Sequence, residues 1–380
     1  MRIAITHPYC WPYVRRGNER NIEELARWLT SRGHTVTTVS TKTGAAAVEH
    51  TEYGDRILHR ALAGPLLARL RLDERQTFFV GSYRSLTAVQ ADVVHSWYFS
   101  DGLAATYARR RARHRAILQI NGVPVPGYSC YRWFPPDAWT NREAARRADA
   151  AIACSQFIRN LAQERYGIDA AVIPPPVNMD RYELGAGPPN GRPTIAAVAD
   201  FNVRRKGIRV LIRAFTLVKS QVPDVLLRIA GALSDAVRAE VLRDLPENVR
   251  TAIEILGPQD SRVIVKLYCE SSILVLPSMW EPSGTVLIEA MSSGTPVVTT
   301  NHAGNPEFVT PETGVLFDPR TNGEETENAA GLADAILRGL ALSEQNGIRE
   351  RCRAQAARFS WPVLGPRIEQ VYGFEGAPRA

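Results

Sequence analysis

Nowhere in these 380 residues do eighteen uncharged apolar residues run together, and the start, Met1-Arg-Ile-Ala-Ile-Thr6, has no apolar signal core. Neither a membrane span nor export by a visible signal is expected. Cysteine is sparse: Cys10, Cys130, Cys154, Cys269 and Cys352 are odd in number, scattered and never in a C-x-x-C pair. That pattern argues against a disulfide framework and against structural zinc, and a reducing cytoplasm is the expected compartment. Lysine is scarcer still, with only Lys42, Lys206, Lys219 and Lys266 among 46 cations. So strong an arginine bias weakens the nucleic-acid reading that a net charge of +7 would otherwise raise, and no nucleic-acid partner is expected.

Several catalytic signatures are missing as well. The chain has no G-x-x-x-x-G-K-[ST], no G-x-S-x-G, no H-E-x-x-H and no G-x-G-x-x-G after its first strand. ATPase, serine-hydrolase, zincin and simple dinucleotide-oxidoreductase readings therefore lack their chemistry. D-x-D is also missing. A nucleotide diphosphate handled by this chain is expected to meet cationic side chains and backbone amides, not a carboxylate-held metal, and no cofactor is expected.

What the sequence does contain is rhythm. Short apolar runs alternate with amphipathic stretches almost from end to end, the pattern of βα units that build parallel sheets. Arg2–Thr6, Val36–Ser40, Asp92–His95, Ala116–Ile120, Ala150–Cys154 and Ala171–Ile173 read as strands. Asn18–Ser31, Gly102–Arg113 and Phe157–Tyr166 read as helices, the first with Ile22, Leu25, Ala26 and Leu29 on one face and the last capped by Ser155. Pro174-Pro175-Pro176 and the breaker-rich stretch Gly185–Pro193 follow, and the interdomain linker is placed there.

A second series repeats the architecture from Thr194–Ala199 through Val225–Ala230, Ile253–Leu256, Ile273–Leu276, Pro296–Thr300 and Val315–Phe317, with helices between. The expected fold is α/β, two doubly wound Rossmann-like domains facing across a cleft: residues 1–175 on the acceptor side and 176–361 for the nucleotide, with 362–380 docking back as a separate helix. Residues 1–175 hold 24 Lys and Arg against 15 Asp and Glu, whereas the remainder holds 22 against 24, so the basic excess belongs to the first domain. Either a solvated arginine-rich surface, including Arg109–Arg115, or peripheral contact with an anionic membrane or acidic acceptor accounts for it.

The most informative segment runs Pro277-Ser-Met-Trp-Glu281-Pro-Ser283-Gly284-Thr285-Val286-Leu-Ile-Glu289-Ala-Met-Ser-Ser-Gly294-Thr-Pro296. It reads as strand, loop, helix, stop, strand. Ser283, Gly284 and Thr285 open a helix whose unpaired N–H groups suit a diphosphate, while Glu289, one turn further in, suits vicinal ribose hydroxyls.

Glu281, seven residues, then Glu289 in this frame resembles the signature of retaining family 4 glycosyltransferases of the GT-B fold. Arg16-Gly17-Asn18-Glu19, Gly33-His34-Thr-Val36, Asp92-Val-Val-His95, Lys206-Gly207 and Ala303-Gly304-Asn305-Pro306-Glu307 fall in the family's order, so the likeness covers nearly the whole chain. The resemblance implies that Glu289 holds the donor ribose, that Glu281 approaches the donor sugar, and that amides from Ser283 to Val286 receive the diphosphate. It further implies that Lys206 neutralises the leaving group, Gly17 closes over it and Gly257 borders the base. The implied activity is metal-independent, same-face transfer of a hexose from a nucleotide diphosphate sugar to an acceptor hydroxyl.

Three departures stand out. Asp200 occupies the place of a family arginine, with Arg204 or Arg205 able to replace its charge; the family's Gly-Gly is Arg16-Gly17; and Asn121 stands where a histidine commonly lies near the sugar. Asn121 cannot transfer a proton and can only orient hydroxyls. His95 either serves the same end or is a satisfied core imidazole. Tyr128, Tyr131, Trp133 and Phe134 either stack on the acceptor or pack under their loop. Two other readings share the fold: a nucleotide-sugar epimerase or phosphorylase-like enzyme, and a silent nucleotide-sugar-binding protein.

Overall fold

The computed structural model describes residues 1–14, 16–62, 74–125, 135–320 and 328–374. Cys130, Tyr128, Tyr131, Trp133 and Phe134 lie outside the described residues. The chain forms two units, Met1–Pro176 together with Trp361–Ala380, and Val177–Ser360. The stretch Gly185–Pro193, read above as part of the linker, belongs to the second unit. Breaker residues there do not loosen the chain, because the Gly185 N–H donates to the Ser293 carbonyl and the Gly187 N–H to the Cys269 carbonyl.

In the first unit the buried run of β1 (Arg2–Thr6) pairs in parallel with β2 (Thr35–Lys42) on one side and with β5 (Val93–Ser96) on the other. A β-hairpin, β3 (Ala47–Thr51) and β4 (Gly54–Arg60), extends the sheet beyond β2. On the far side come β6 (Arg115–Ile120), β7 (Ala150–Ala153) and β8 (Ala171–Val172), giving the order β3-β4-β2-β1-β5-β6-β7-β8. All these pairings except β3 with β4 are parallel, so helices must carry the crossovers. They are α1 (Gly17–Ser31), α2 (Glu74–Ala88), α3 (Phe99–Ala112), α4 (Pro135–Arg147) and α5 (Gln156–Tyr166). On α1 the face Ile22, Leu25, Ala26 and Leu29 is buried, and Ser155 caps α5 by accepting the Ile158 N–H at 3.2 Å.

In the second unit β9 (Thr194–Val198) lies between β10 (Leu226–Ala230) and β12 (Ile273–Leu276), with β11 (Ile253–Gly257) outside β10. Beyond β12 lie β13 (Val297–Thr300) and β14 (Gly314–Phe317), and every pairing is parallel. The helices are α6 (Ile208–Gln221), α7 (Asp235–Leu242), α8 (Glu247–Arg250), α9 (Ser261–Cys269), α10 (Thr285–Ser292), α11 (Ala329–Ser343) and α12 (Ile348–Ala357). Successive strand residues point to opposite faces, as the pleat requires. Ile195, Ala197, Ile273 and Val275 pack with Leu211 and Phe215 of α6 and Ile336 of α11. Ala196, Leu274 and Leu276 pack with Leu267 of α9 and Ile288 and Met291 of α10. Both faces are covered, which is why these strands read as continuous apolar runs.

The last helix, α13 (Trp361–Tyr372), belongs to the first unit. Trp361 stacks on Trp28 of α1 at 6.0 Å between ring centroids and donates its indole N–H to Glu24 at 3.2 Å. One turn on, Gly365 fits because a Cβ there would stand 2.3 Å from the same Trp28 ring. Another turn on, the buried Glu369 carboxylate pairs with His34 at 3.0 Å. The spacing 361, 365, 369, 372 is one face of a helix, and that face is the docked one.

Candidate active site

In a doubly wound sheet the loops that follow two neighbouring strands with opposite crossovers border a crevice. In the second unit those strands are β9 and β12. The loop after β9 holds Arg204, Arg205 and Lys206 in a single 3-10 turn that ends at Gly207. The loop after β12 holds Trp280, Glu281, Ser283 and Gly284, the last being the N-cap of α10. The two loops are stitched together by the Met279 N–H, which donates to the Arg205 carbonyl at 2.8 Å. Gly207 makes this approach possible, since it has φ +74° and a Cβ there would meet the Pro277 carbonyl oxygen at 2.4 Å.

Lys206 Nζ donates to Glu281 Oε2 at 2.5 Å. Arg205 Nη1 lies 3.4 Å from the same oxygen and donates to the Trp280 carbonyl at 2.6 Å, while its guanidinium stands over the Trp280 ring at 5.6 Å. The Lys206, Arg205 and Glu281 side chains are 17%, 21% and 12% exposed, so the cluster is largely desolvated and its attractions are stronger than at an open surface. Arg205 Nε is buried with no protein partner. Arg204 is exposed instead, and it is Arg205 that supplies the second charge beside Glu281. Asp200 is also exposed and accepts the Asn202 N–H at 3.2 Å in a local turn.

A third loop braces Glu281 from behind. The Gly304 N–H donates to the Glu281 carbonyl at 2.9 Å, and a Cβ at Gly304 would strike the Pro282 carbonyl oxygen at 2.2 Å. Asn305, fully buried, donates through Nδ2 to the Thr300 hydroxyl at 3.0 Å, and that hydroxyl donates onward to the Ser278 carbonyl at 2.8 Å. Because Thr300 has spent its one proton, the donor end of Asn305 must face it.

Glu289 follows Thr285 by four residues on α10, is 6% exposed and accepts the Tyr268 hydroxyl at 3.2 Å. Neither Glu281 nor Glu289 is therefore a merely solvated surface carboxylate. Thr285 and Val286 are partly exposed in the first turn, where helical N–H groups lack helical partners. Gly257 ends β11, and its carbonyl accepts the Gly231 N–H.

Both units match known families. Residues 15–181 match the family described as Glycosyltransferase Family 4, and residues 192–341 match Glycosyl transferases group 1. The chain belongs to the group 1, family 4 glycosyltransferases. The glycosyltransferase is 27% identical to a phosphatidyl-myo-inositol mannosyltransferase of Propionibacterium freudenreichii subsp. shermanii, over 99% of this chain and 96% of that protein. Its fold is like that of the sucrose-phosphate synthase of Thermosynechococcus elongatus, with a TM-score of 0.81, 23% identity and 98% of both chains covered. Anabaena HepE, solved with UDP and glucose, superposes with a TM-score of 0.73 at 18% identity, over 98% of this chain and 99% of that one. The two doubly wound units are the GT-B fold, and the protein is an enzyme, a glycosyltransferase.

In the first unit of this glycosyltransferase, Gly17 is the first residue of α1 and Arg16 stands over the Tyr9 ring at 5.7 Å. His95 is fully buried, with Tyr372 Oη 2.7 Å from Nδ1 and Gln119 Oε1 3.2 Å from Nε2. Burial lowers its pKa to about 3, so the ring is neutral. Both ring nitrogens are taken, and of the two readings open for His95 the structure has the satisfied core imidazole. Asn121 lies at the end of β6 and accepts from Gln119 Nε2 at 3.0 Å. Sequence reasoning missed Tyr268 and Tyr372, since a tyrosine on an apolar helix face looks like any core aromatic.

Proposed function

We propose that this glycosyltransferase transfers a sugar from a nucleotide diphosphate sugar to an acceptor hydroxyl with retention of anomeric configuration and without a metal. The observation that carries the reading is the Lys206, Arg205 and Glu281 cluster held beside the opening of α10. As the bond from the anomeric carbon to the diphosphate oxygen breaks, negative charge grows on the leaving group. Lys206, Arg205 and the first amides of α10 answer that charge in the transition state more than in the ground state, which raises the rate instead of only tightening binding. Glu281 holds Lys206 in place until the diphosphate arrives and then orients sugar hydroxyls. Glu289, steadied by Tyr268, accepts from the ribose.

The acceptor oxygen attacks on the face from which the diphosphate departs, and its proton passes to the departing phosphate oxygen. Each bond made thus balances one broken, and no carboxylate nucleophile is needed. Gly17 covers the diphosphate, Gly257 borders the base and Asn121 orients hydroxyls. Lys206→Ala is expected to lower kcat/KM by about a hundred- to a thousand-fold while circular dichroism stays unchanged. Near-normal turnover in that variant removes Lys206 from the mechanism.

The acceptor belongs to the small-molecule, glycan or lipid-linked hydroxyl compounds, and the basic first unit suits peripheral membrane contact. On that unit Arg110 and Arg111 line an open groove with Phe79, Tyr83 and Tyr107, and Arg110 and Arg147 stand over the Tyr107 ring at 5.8 and 5.3 Å. Aromatic rings beside arginines fit an anionic interface. Among the described residues no helix is long and apolar enough to cross a membrane. Cosedimentation with phosphatidylglycerol vesicles is expected at low salt and lost at high salt or in Arg110→Glu/Arg111→Glu; pelleting that ignores both removes this surface from the proposal.

A further inference from the structure

We propose that Tyr372, His95 and Gln119 are positioning residues for the transfer reaction, forming a buried hydrogen-bond relay that makes Asn121 present its amide N–H donors, and not its carbonyl oxygen, to a bound sugar. The inference deepens the reading of Asn121 as the residue that orients sugar hydroxyls and rests on it.

The relay can be followed atom by atom. Asn121 Oδ1 accepts from Gln119 Nε2 at 3.0 Å, so the other end of Gln119, Oε1, is what faces His95 Nε2 at 3.2 Å. A carboxamide oxygen only accepts, so Nε2 must carry the imidazole proton. With the ring neutral, Nδ1 is left as an acceptor, and the Tyr372 hydroxyl at 2.7 Å must donate to it. Every link thus has one direction. Turning Asn121 alone would set Gln119 Nε2 against Asn121 Nδ2, donor against donor. Reversal needs both amides to flip and the imidazole to change tautomer together.

The direction has a consequence at the open end. Asn121 Nδ2 is buried and has no protein partner. It borders a small cavity whose other walls include Trp97, Ile173, Pro174, Trp361 and Ile368, all apolar except for the indole nitrogens. A buried donor in such surroundings is costly unless something accepts from it, and a sugar hydroxyl has two lone pairs to offer. The far end is equally fixed. Tyr372 sits on the last turn of α13, fully buried, with its ring edge-on to His95 at 5.6 Å. Docking of that helix therefore reaches Asn121 through three side chains, none of which needs to touch the sugar.

The test has two parts. In protein labelled with nitrogen-15 histidine, the His95 ring is expected as the Nε2–H tautomer; an Nδ1–H tautomer overturns the proposed direction. Binding is then measured with UDP-glucose, GDP-mannose, ADP-glucose and dTDP-glucose, the one giving the largest thermal shift being taken forward beside its own nucleoside diphosphate. Asn121→Asp keeps the acceptor toward Gln119 but removes the unpartnered donor, and Gln119→Glu forces Asn121 to turn round. Each is expected to weaken the nucleotide sugar about tenfold, the worth of one hydrogen bond, with nucleoside diphosphate binding unchanged. Tyr372→Phe is expected to weaken it in the same selective way, by a smaller factor.

If Asn121→Asp shows the selective loss and neither Gln119→Glu nor Tyr372→Phe does, the relay is overturned while the reading of Asn121 stands. If Asn121→Asp leaves nucleotide-sugar binding intact, or if none of the four donors binds, the underlying reading falls with it. Loss of nucleotide and nucleotide sugar alike in all variants marks a structural role and overturns the positioning one.

Discussion

Asp101 is the most unusual single side chain of the first unit. It lies in the first turn of α3, fully buried, with its Oδ2 receiving the Thr6 hydroxyl at 2.6 Å and the Trp97 N–H at 3.2 Å, while Oδ1 is buried without a partner. Burial pushes its pKa up to about 8, against hydrogen bonds that lower it. The folded protein therefore keeps a proton that the unfolded chain releases near the ordinary value of 3.8. Stability from this group is present below that value and lost as pH rises through the folded pKa. Between pH 6.5 and 8 the histidines whose pKa burial lowers, His7 to about 4 and His95 to about 3, with His59, His114 and His302 also lowered, bind protons more readily in the unfolded chain and so oppose this slope. The histidines are common to wild type and Asp101→Asn, so the urea midpoint of the wild type is expected to fall relative to that of Asp101→Asn as pH rises from 6.5 to 8. Parallel curves would show that Asp101 is ionised throughout.

At the scale of elements, the site depends on how closely loops can approach one another. Lys206 reaches Glu281 because Gly207 turns with positive φ against the Pro277 carbonyl. Gly207→Ala introduces both a strained backbone and a Cβ at an impossible distance, so it is expected to cost about 1–3 kcal/mol and to separate the Lys206 turn from Glu281. Thermal unfolding reads the first effect and nucleoside diphosphate binding the second. A variant with wild-type melting and binding would mean that the loop tolerates a shift there.

Across the whole molecule, the two doubly wound series could be read from sequence because their central strands are buried on both faces and their helices carry regular apolar stripes. The hairpin Ala47–Arg60 escaped that reading, since β3 alternates partly buried Ala47, Glu49 and Thr51 with exposed Val48 and His50. Helix α2 escaped for a related reason, its buried face being Phe78, Ser82, Ser85 and Leu86, of which half is serine. The acidic pair of the site and its lysine were legible because they lie in short local motifs. Tyr268 and the relay behind Asn121 were not, because their partners are brought together from positions 21 and 277 residues apart, a matter of topology that spacing cannot show.

Unit integrity also depends on that topology. Removing residues 361–380 takes away the partners of Trp28, Glu24, His34 and His95 at once. The truncated chain is expected to lose the melting transition of the first unit while Val177–Ser360 keeps its own; two intact transitions would show that α13 is dispensable.

During synthesis, the same arrangement sets an order of events. The sheet built on β1 leaves the ribosome early with a hydrophobic seam on α1 uncovered, and the segment that seals it is translated only after the entire second unit. The nascent first half must wait through nearly two hundred further codons, during which binding factors for exposed apolar surface have their opportunity, before Trp361 arrives to close it.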